Sequence, residues 1–341
     1  MIDLRSDTVT VPTPGMLKAM MEAEVGDDVF GEDPTANRLQ GMAAGLLGKE
    51  AALFVASGTM ANQVCLKAWT RPGDEVITDS GSHICNYEAG APAAISGVTL
   101  RLLDADRGIL SPEQIEPAIR PDNDHFPASR LVAIENTHNR GGGSVYPVET
   151  VRGIGEVCRR HNLVLHLDGA RLLNACAAEG VDPADYTRHV DSVTLCFSKG
   201  LGCPVGSVVA GSREFVRSAR RVRKMFGGGM RQIGYIAAAA IYALENNVDR
   251  LREDHDNARA LADGIAQIES LHLKFEPVTN MVYFDVLPPL TPDGLLSRLD
   301  EAGVRMLCLW GTTFRAVCHI HITRPDIDAT LRALRETCAK R

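Results

Sequence analysis

Lys199 follows an apolar run, Val193 to Phe197, and precedes a turn that holds Gly200, Gly202, Pro204 and Gly206. The run is rich in β-forming residues and reads as a buried strand; a second short apolar run covers Ser207 to Ala210. A lysine at the end of such a strand, with Ser198 beside it, is costly to desolvate unless something uses it. Two chemistries suit the position: binding a phosphate as a point charge, or forming a Schiff base with a carbonyl. The phosphate-loop pattern G-x-x-x-x-G-K-[ST] is absent before Lys199. A surface lysine at a strand end is the plain alternative, and spacing alone does not separate it from a Schiff-base lysine. The Schiff-base reading needs companions: an aldehyde cofactor, a carboxylate for its ring nitrogen and an anion site for its phosphate.

Companions of these types stand at other predicted strand ends. The run Ala51 to Ala56 leads into Ser57-Gly58-Thr59 and a helix start, where free backbone N–H groups favour an anion, although Ser and Thr also serve there as ordinary caps. Glu75 to Asp79 reads as a strand followed by Ser80-Gly81-Ser82-His83 and Asn86-Tyr87-Glu88; a lone histidine is more often structural than catalytic. Strands are expected at Val98 to Leu103 and Leu131 to Ile134, the second running into Asn136 and His138. A helix over Val148 to His161 precedes the strand Leu163 to Leu167, which ends at Asp168 in L-V-L-H-L-D-G-A-R. This alternation over residues 50 to 210 indicates an α/β domain with a mainly parallel sheet, in which ligands gather at the carboxyl ends of the strands. Ser57, His83, Asn136, Asp168 and Lys199 all fall there.

Around this core the sequence divides into three parts. Residues 1–35 read as an irregular polar arm, by default a solvated loop, with a helical stretch over Met16 to Ala23; its length also suits an arm that belongs to an active site. Residues 36–248 form the large domain, opening with a helix over Ala36 to Leu47 and closing with the basic helix Glu214 to Phe226, a glycine-rich kink, Gly227-Gly228-Gly229, and an Ala-rich helix over Ile233 to Asn247. The arginine-rich face of the basic helix is either solvated or a source of a phosphate ligand. Residues 249–341 read as a smaller α+β domain with strands at Met281 to Val286 and Arg315 to Thr323 and helices at Pro292 to Ala302 and Ile327 to Cys338.

A net charge of −7 argues against nucleic acid or an anionic membrane as partner. No apolar run approaches the length of a membrane span, and the first residues lack the apolar core of a signal peptide. Nine cysteines without a C-x-x-C pair suit a reducing cytoplasm.

Seven segments together carry a resemblance: D-L-R-S-D-T-V-T, E-V-G-D-D-V-F-G-E-D-P, S-G-T-M-A-N, E-N-T-H-N, H-L-D-G-A-R, S-K-G-L-G-C-P-V-G-S and K-M-F-G-G-G-M-R-Q. They resemble the low-specificity L-threonine aldolases, pyridoxal-phosphate enzymes of the aspartate-aminotransferase fold (fold type I). The resemblance covers nearly the whole chain and is tightest up to Gln232. It implies pyridoxal 5′-phosphate as cofactor, Lys199 as its Schiff-base lysine with Ser198 beside it, and Asp168 as the partner of its pyridine nitrogen. It further implies Gly58 and Thr59 at its phosphate, joined by Lys224 and Arg231 from a neighbouring subunit of a homotetramer, and His83 on its ring face. Ser6, Arg171 and Arg315 are implied for the substrate carboxylate and His138 for the β-hydroxyl. No metal is implied. The reaction is then cleavage of a β-hydroxy-α-amino acid into glycine and an aldehyde, with His83, His138, a water held by either, or Glu88 as acid/base. Other reactions of the same cofactor (β-elimination, racemisation, transamination) are the alternative enzyme readings, and a non-catalytic amino-acid-binding protein is the alternative of another class. The family's R-L-V-T-H is Arg315-Ala316-Val317-Cys318-His319 here, and the loop expected before it, L-C-L-W-G-T-T-F, departs from the family pattern.

Overall fold

The computed structural model describes residues 1–339. Seven strands form the central sheet: β1 (Ala51–Val55), β2 (Glu75–Asp79), β3 (Thr99–Leu103), β4 (Ser129–Glu135), β5 (Val164–Asp168), β6 (Ser192–Cys196) and β7 (Ser207–Gly211). Their order across the sheet is β1-β7-β6-β5-β4-β2-β3, and every neighbouring pair is parallel except those made by β7. Helices cover both faces, so the central strands are apolar throughout rather than alternating; β6 and β7 are buried along their whole length. The sheet and its helices share one apolar core that reaches from Met16 to Leu251.

A second apolar core, built from Leu4 and residues between Ala258 and Leu334, lies under a four-stranded antiparallel sheet. That sheet contains β8 (Leu271–Leu273), β9 (Met281–Val286), β10 (Leu307–Trp310) and β11 (Thr313–Val317), in the order β10-β11-β9-β8. Two expectations are corrected in this region. The strand predicted over Arg315 to Thr323 ends at Val317, because its partner β9 runs out: Met281 opposite Val317 is the last register pair. Beyond it Asn280 takes up both backbone groups of Cys318, through its own carbonyl and its side-chain amide. The segment predicted as a loop, Leu307 to Phe314, is instead a β-hairpin, with Trp310 opposite Thr313 across Gly311 and Thr312. Gly311 has φ +53°, a conformation that favours glycine at such a tight turn.

The arm is ordered by contacts with both apolar cores, Met16 lying in the first and Leu4 in the second. Ile2–Asp3 pairs in parallel with Val304–Arg305, and the helix Pro14–Met21 packs on the helix Gly234–Asn246. The loop from Gly26 to Asp33 rests on the basic helix Arg213–Met225: Arg223 is buried, bonds Asp28 Oδ2 at 2.5 Å and donates to the Phe54 carbonyl. Arg220 donates to the Asp28 carbonyl. Part of the basic face therefore braces the arm.

Candidate active site

The carboxyl ends of β1, β2, β4, β5 and β6 open on one cleft. It is lined by Gly58, Asn62, His83, Glu135, Thr137, Asp168, Ala170, Arg171 and Lys199. Lys199 lies just past β6, half-buried, in a turn closed by the bond from Gly202 N to the Lys199 carbonyl (2.8 Å). Among the described residues its ammonium has no hydrogen-bond or ion-pair partner.

Asp168 ends β5 and is buried. Its Oδ2 accepts from Asn62 Nδ2 at 2.7 Å and its Oδ1 from Ala170 N at 3.0 Å. Burial would raise its pKa, but the charges of His83 and Lys199 and the Asn62 and Ala170 donors outweigh it and hold the carboxylate below its ordinary value. Asn62 is itself held by His166, two residues before Asp168 on β5, whose Nε2 meets Asn62 Oδ1 at 3.3 Å. Burial pushes His166 down to about 4, so it is neutral at physiological pH.

Glu88 is buried and fully committed: Oε1 receives Asn62 Nδ2 (2.8 Å) and meets His83 Nδ1 (2.8 Å), and Oε2 receives Gln63 Nε2 (2.6 Å). It orients the His83 ring and leaves Nε2 as the nitrogen without a partner among the described residues. Burial alone would lower the pKa of His83; the bond to Glu88 and the charges of Asp168, Glu135 and Glu88 raise it overall. His83, Glu88 and Asp168 offer ligand atoms within 4.8 Å of one another. The Asn62 amide already bridges the two carboxylates, so the cluster is closed by hydrogen bonds.

Two guanidinium groups differ in a way that decides their use. Arg171 is held by the arm's Asp7 in a bidentate pair, Nε to Oδ2 at 2.7 Å and Nη2 to Oδ1 at 2.6 Å, with both side chains buried. Arg315, on β11, donates among the described residues to neutral acceptors, Asn139 Oδ1 (2.8 Å) and the Arg5 carbonyl (3.1 Å), and its buried Nε has no partner there. Asp7 acts on Arg315 only through space, so the guanidinium has no carboxylate bonded to it, and a ligand carboxylate would fill that place. Asp7 is buried, which by itself would raise its pKa, but the charge and hydrogen bonds of Arg171 drive it far below the ordinary 3.8. A depressed carboxylate stabilises the fold at neutral pH, and that contribution is lost as pH falls below its unfolded value. Asp7→Ala is expected to cost about 3–5 kcal/mol, because it leaves the Arg171 charge buried and unpaired; chemical denaturation at pH 7 measures it, and the gap to wild type is expected to narrow as the pH is lowered toward 3.

The remaining expected residues divide between the cleft and its surroundings. Ser57 caps the helix Gly58–Trp69 through the Met60 N–H, leaving the N–H groups of Gly58 and Thr59 without an acceptor among the described residues. Ser6 lies next to Asp7, with its hydroxyl accepting from Thr8. Ser198 shares the turn of Lys199 and is half-buried. The structure does not bring His138 to the cleft. Its Nδ1 accepts from Gly141 N at 3.0 Å and its Nε2 lies 3.1 Å from Asp79 Oδ2, and it lines a neighbouring recess with Gly81 and Gly108 instead. Lys224 and Arg231 lie on the surface outside this cleft, Arg231 paired with Asp27 at 2.9 Å. Asp7, Asn62, Glu135 and Asn139 are functional neighbours that the sequence does not single out. Asn62 alone carries a signal, standing one helical turn after Gly58 in S-G-T-M-A-N.

Comparison with known proteins adds the family. The description "Beta-eliminating lyase" matches residues 3–287. Low-specificity L-threonine aldolase 1 of Arabidopsis thaliana is 43% identical over 98% of this chain and 96% of its own length. The chain belongs to the low-specificity L-threonine aldolases. The Escherichia coli low specificity L-threonine aldolase is 47% identical over 84% of this chain and 85% of its own. The solved Leishmania major threonine aldolase, 22% identical, superposes with a TM-score of 0.86 over 99% of this chain and all of that one, which places the fold among the type I pyridoxal-phosphate enzymes.

Proposed function

We propose that this chain is a pyridoxal-phosphate-dependent lyase that cleaves L-threonine and L-allo-threonine to glycine and acetaldehyde. The observation that carries the reading is the single cleft holding an unpartnered lysine, an ionised buried carboxylate and a carboxylate-oriented histidine. The residues fit the cofactor. A Cβ at Gly58 would lie 2.8 Å from Cys196 Sγ, so only glycine lets the helix start sit this close to the end of β6. The buried Thr137 hydroxyl in the cleft wall has no partner among the described residues, and the Gly58 and Thr59 N–H groups are available for a phosphate.

Lys199 would hold the cofactor's aldehyde, Asp168 its pyridine nitrogen, Gly58 and Thr59 its phosphate, and His83 would lie against its ring. When bound, the cofactor supplies the sink for the electron pair released as the Cα–Cβ bond breaks. Arg315, with Ser6, anchors the substrate carboxylate, while Arg171 stays paired with Asp7 in the cleft wall. His83 Nε2 takes the β-hydroxyl proton, and Glu88 keeps the ring turned for that task. With the carboxylate and amine held, selection at Cα is strict and selection at Cβ rests on His83. Chromatography of the products from L-threonine, L-allo-threonine and D-threonine tests the reading: glycine and acetaldehyde are expected from both L isomers and none from the D isomer, whereas a keto acid or D-amino acid as product would overturn it.

As a base His83 works when neutral, so the acid limb of kcat/KM is expected above the ordinary 6.5. Removing the Glu88 charge destabilises the protonated ring. In Glu88→Gln that limb is therefore expected to move to lower pH, which a pH–rate profile measures; an unmoved limb would assign it to another group.

The chain also works as a homo-oligomer in this reading. Met21, Phe30, Met225 and Tyr235 are 84%, 74%, 70% and 46% exposed, on elements that pack against one another beside Lys224 and Arg231. A second copy would cover these side chains and receive Lys224 and Arg231 at its phosphate site. Sedimentation is expected to show a dimer or tetramer, and an active monomer would refute it. All nine cysteines are unpaired, which suits the reducing cytoplasm.

A further inference from the structure

A series of hydrogen bonds leads from Trp69 into the wall of the cleft, and its donors and acceptors are consistent in one direction only. Trp69 is the last residue of the helix Gly58–Trp69, and its indole is stacked on Phe215 of the basic helix, with ring centres 4.9 Å apart and 5° between the planes. An indole N–H can only donate, and Trp69 Nε1 gives to Ser192 Oγ on β6 at 3.0 Å. Ser192 Oγ lies 2.9 Å from Nδ1 of His166 on β5, and Nε2 of the same ring lies 3.3 Å from Asn62 Oδ1, back on the helix. Asn62 Nδ2 then gives its two protons to Asp168 Oδ2 and Glu88 Oε1. His166 is buried and neutral, so one ring nitrogen carries the proton. The carboxylate end decides which. Turning the Asn62 amide over would set its oxygen against two carboxylate oxygens at 2.7 and 2.8 Å, so Oδ1 faces His166, and only a protonated Nε2 offers it a donor. Nδ1 is then an acceptor, and the Ser192 hydroxyl, already receiving from Trp69, has its own proton to supply it.

We propose that His166 is a positioning residue for the reaction: fixed as the Nε2–H tautomer by Ser192 and Trp69, it locks the Asn62 amide so that one NH2 group holds the Asp168 and Glu88 carboxylates together. The proposal rests on the retro-aldol reading for the roles of Asp168 and His83; the tautomer itself does not depend on that reading. His166 and Asp168 stand two residues apart on β5 and share a face, and Asn62 stands one turn after Gly58. The series therefore ties the helix start that would hold the phosphate to the strand end that would hold the pyridine nitrogen, and through Glu88 it reaches the His83 ring. Its role is orientation: Trp69 cannot accept a proton, so the series has no outlet for one.

Neutron diffraction from crystals of the perdeuterated, cofactor-loaded enzyme reads the tautomer directly, whether or not any variant folds. Deuterium is expected on His166 Nε2 and not on Nδ1; deuterium on Nδ1, alone or together with Nε2, would overturn the proposal. Two substitutions test the positioning. A glutamine amide can stand at the place of Nε2, and an asparagine amide only at that of Nδ1. His166→Gln is therefore expected to keep kcat for L-threonine within about threefold and His166→Asn to lower it about tenfold, the loss that goes with one buried hydrogen bond, with KM little changed. Equal losses in the two variants would overturn the role. In an Asn62→Ala background His166→Asn is expected to lower kcat no further, and a second loss of about tenfold there would mean that His166 does not act through Asn62. If the wild type releases aldehyde from neither L-threonine nor L-allo-threonine, the retro-aldol reading fails separately. The same set of variants is then read by absorbance titration with pyridoxal 5′-phosphate, where the same pattern is expected in cofactor affinity and equal effects would overturn the proposal.

Discussion

Lys199→Ala is expected to lower kcat on the order of 10⁴-fold while the protein still folds. The fold survives because the ammonium has no internal partner: its removal strands no buried donor or acceptor, and the turn is held by the bond from Gly202 N to the Lys199 carbonyl. The rate falls because, among the described residues, no other lysine lines the cleft. Lys49, another half-buried lysine, is tied to the carbonyls of Thr187 and Val190 on another side of the molecule. Two measurements check the prediction. Steady-state aldehyde release gives the loss of rate, and borohydride reduction of the wild type followed by peptide mapping is expected to place the cofactor on the peptide that contains Lys199. Label on any other lysine would overturn the assignment.

The second large effect is expected at Asp168. Asp168→Asn is nearly the same shape, and its one remaining oxygen still accepts a hydrogen bond, so the chain is expected to fold. The kcat is expected to fall on the order of 10²–10³-fold, the cost of removing one pre-organised electrostatic partner from a dry site. The negative charge is present in the wild type at any physiological pH, because His83, Lys199, Asn62 and Ala170 N hold the carboxyl below its ordinary value. A neutral amide cannot keep a proton on a pyridine nitrogen, so the loss belongs in kcat more than in KM. Asn62→Ala provides the comparison. It leaves the carboxylate charge in place and disturbs only its orientation, so a smaller loss is expected, and equal losses would mean that position rather than charge is what Asp168 contributes.

Much of the site is written locally. Strand ends that run into glycine and serine turns put Ser57, His83, Asn136, Asp168 and Lys199 at one edge of a sheet on sequence grounds alone. The structure has the ends of β1, β2, β4, β5 and β6 at that edge. Apolar runs and turn residues act over a few positions, so they mark where a strand stops and which kind of turn succeeds it. The hairpin at Leu307–Val317 and the stop at Val317 are illegible in the sequence for the complementary reason: a strand also needs a partner, and Met281 is the last residue of β9 able to supply one.

The use of each charged group is settled only by the tertiary structure. Arg171 and Arg315 look equivalent as candidate carboxylate anchors in the sequence. Asp7, 164 residues away from Arg171, fills one fork and leaves the other to Asn139 and a carbonyl. His83 and His138 likewise stand past strand ends in the same way. Glu88 turns the first toward the cleft, whereas Gly141 N and Asp79 turn the second away. Local patterns specify the position of a backbone, because backbone conformation responds to near neighbours. The use of a side chain depends on which partner consumes its charge, and that partner is brought in by the fold from any distance along the chain.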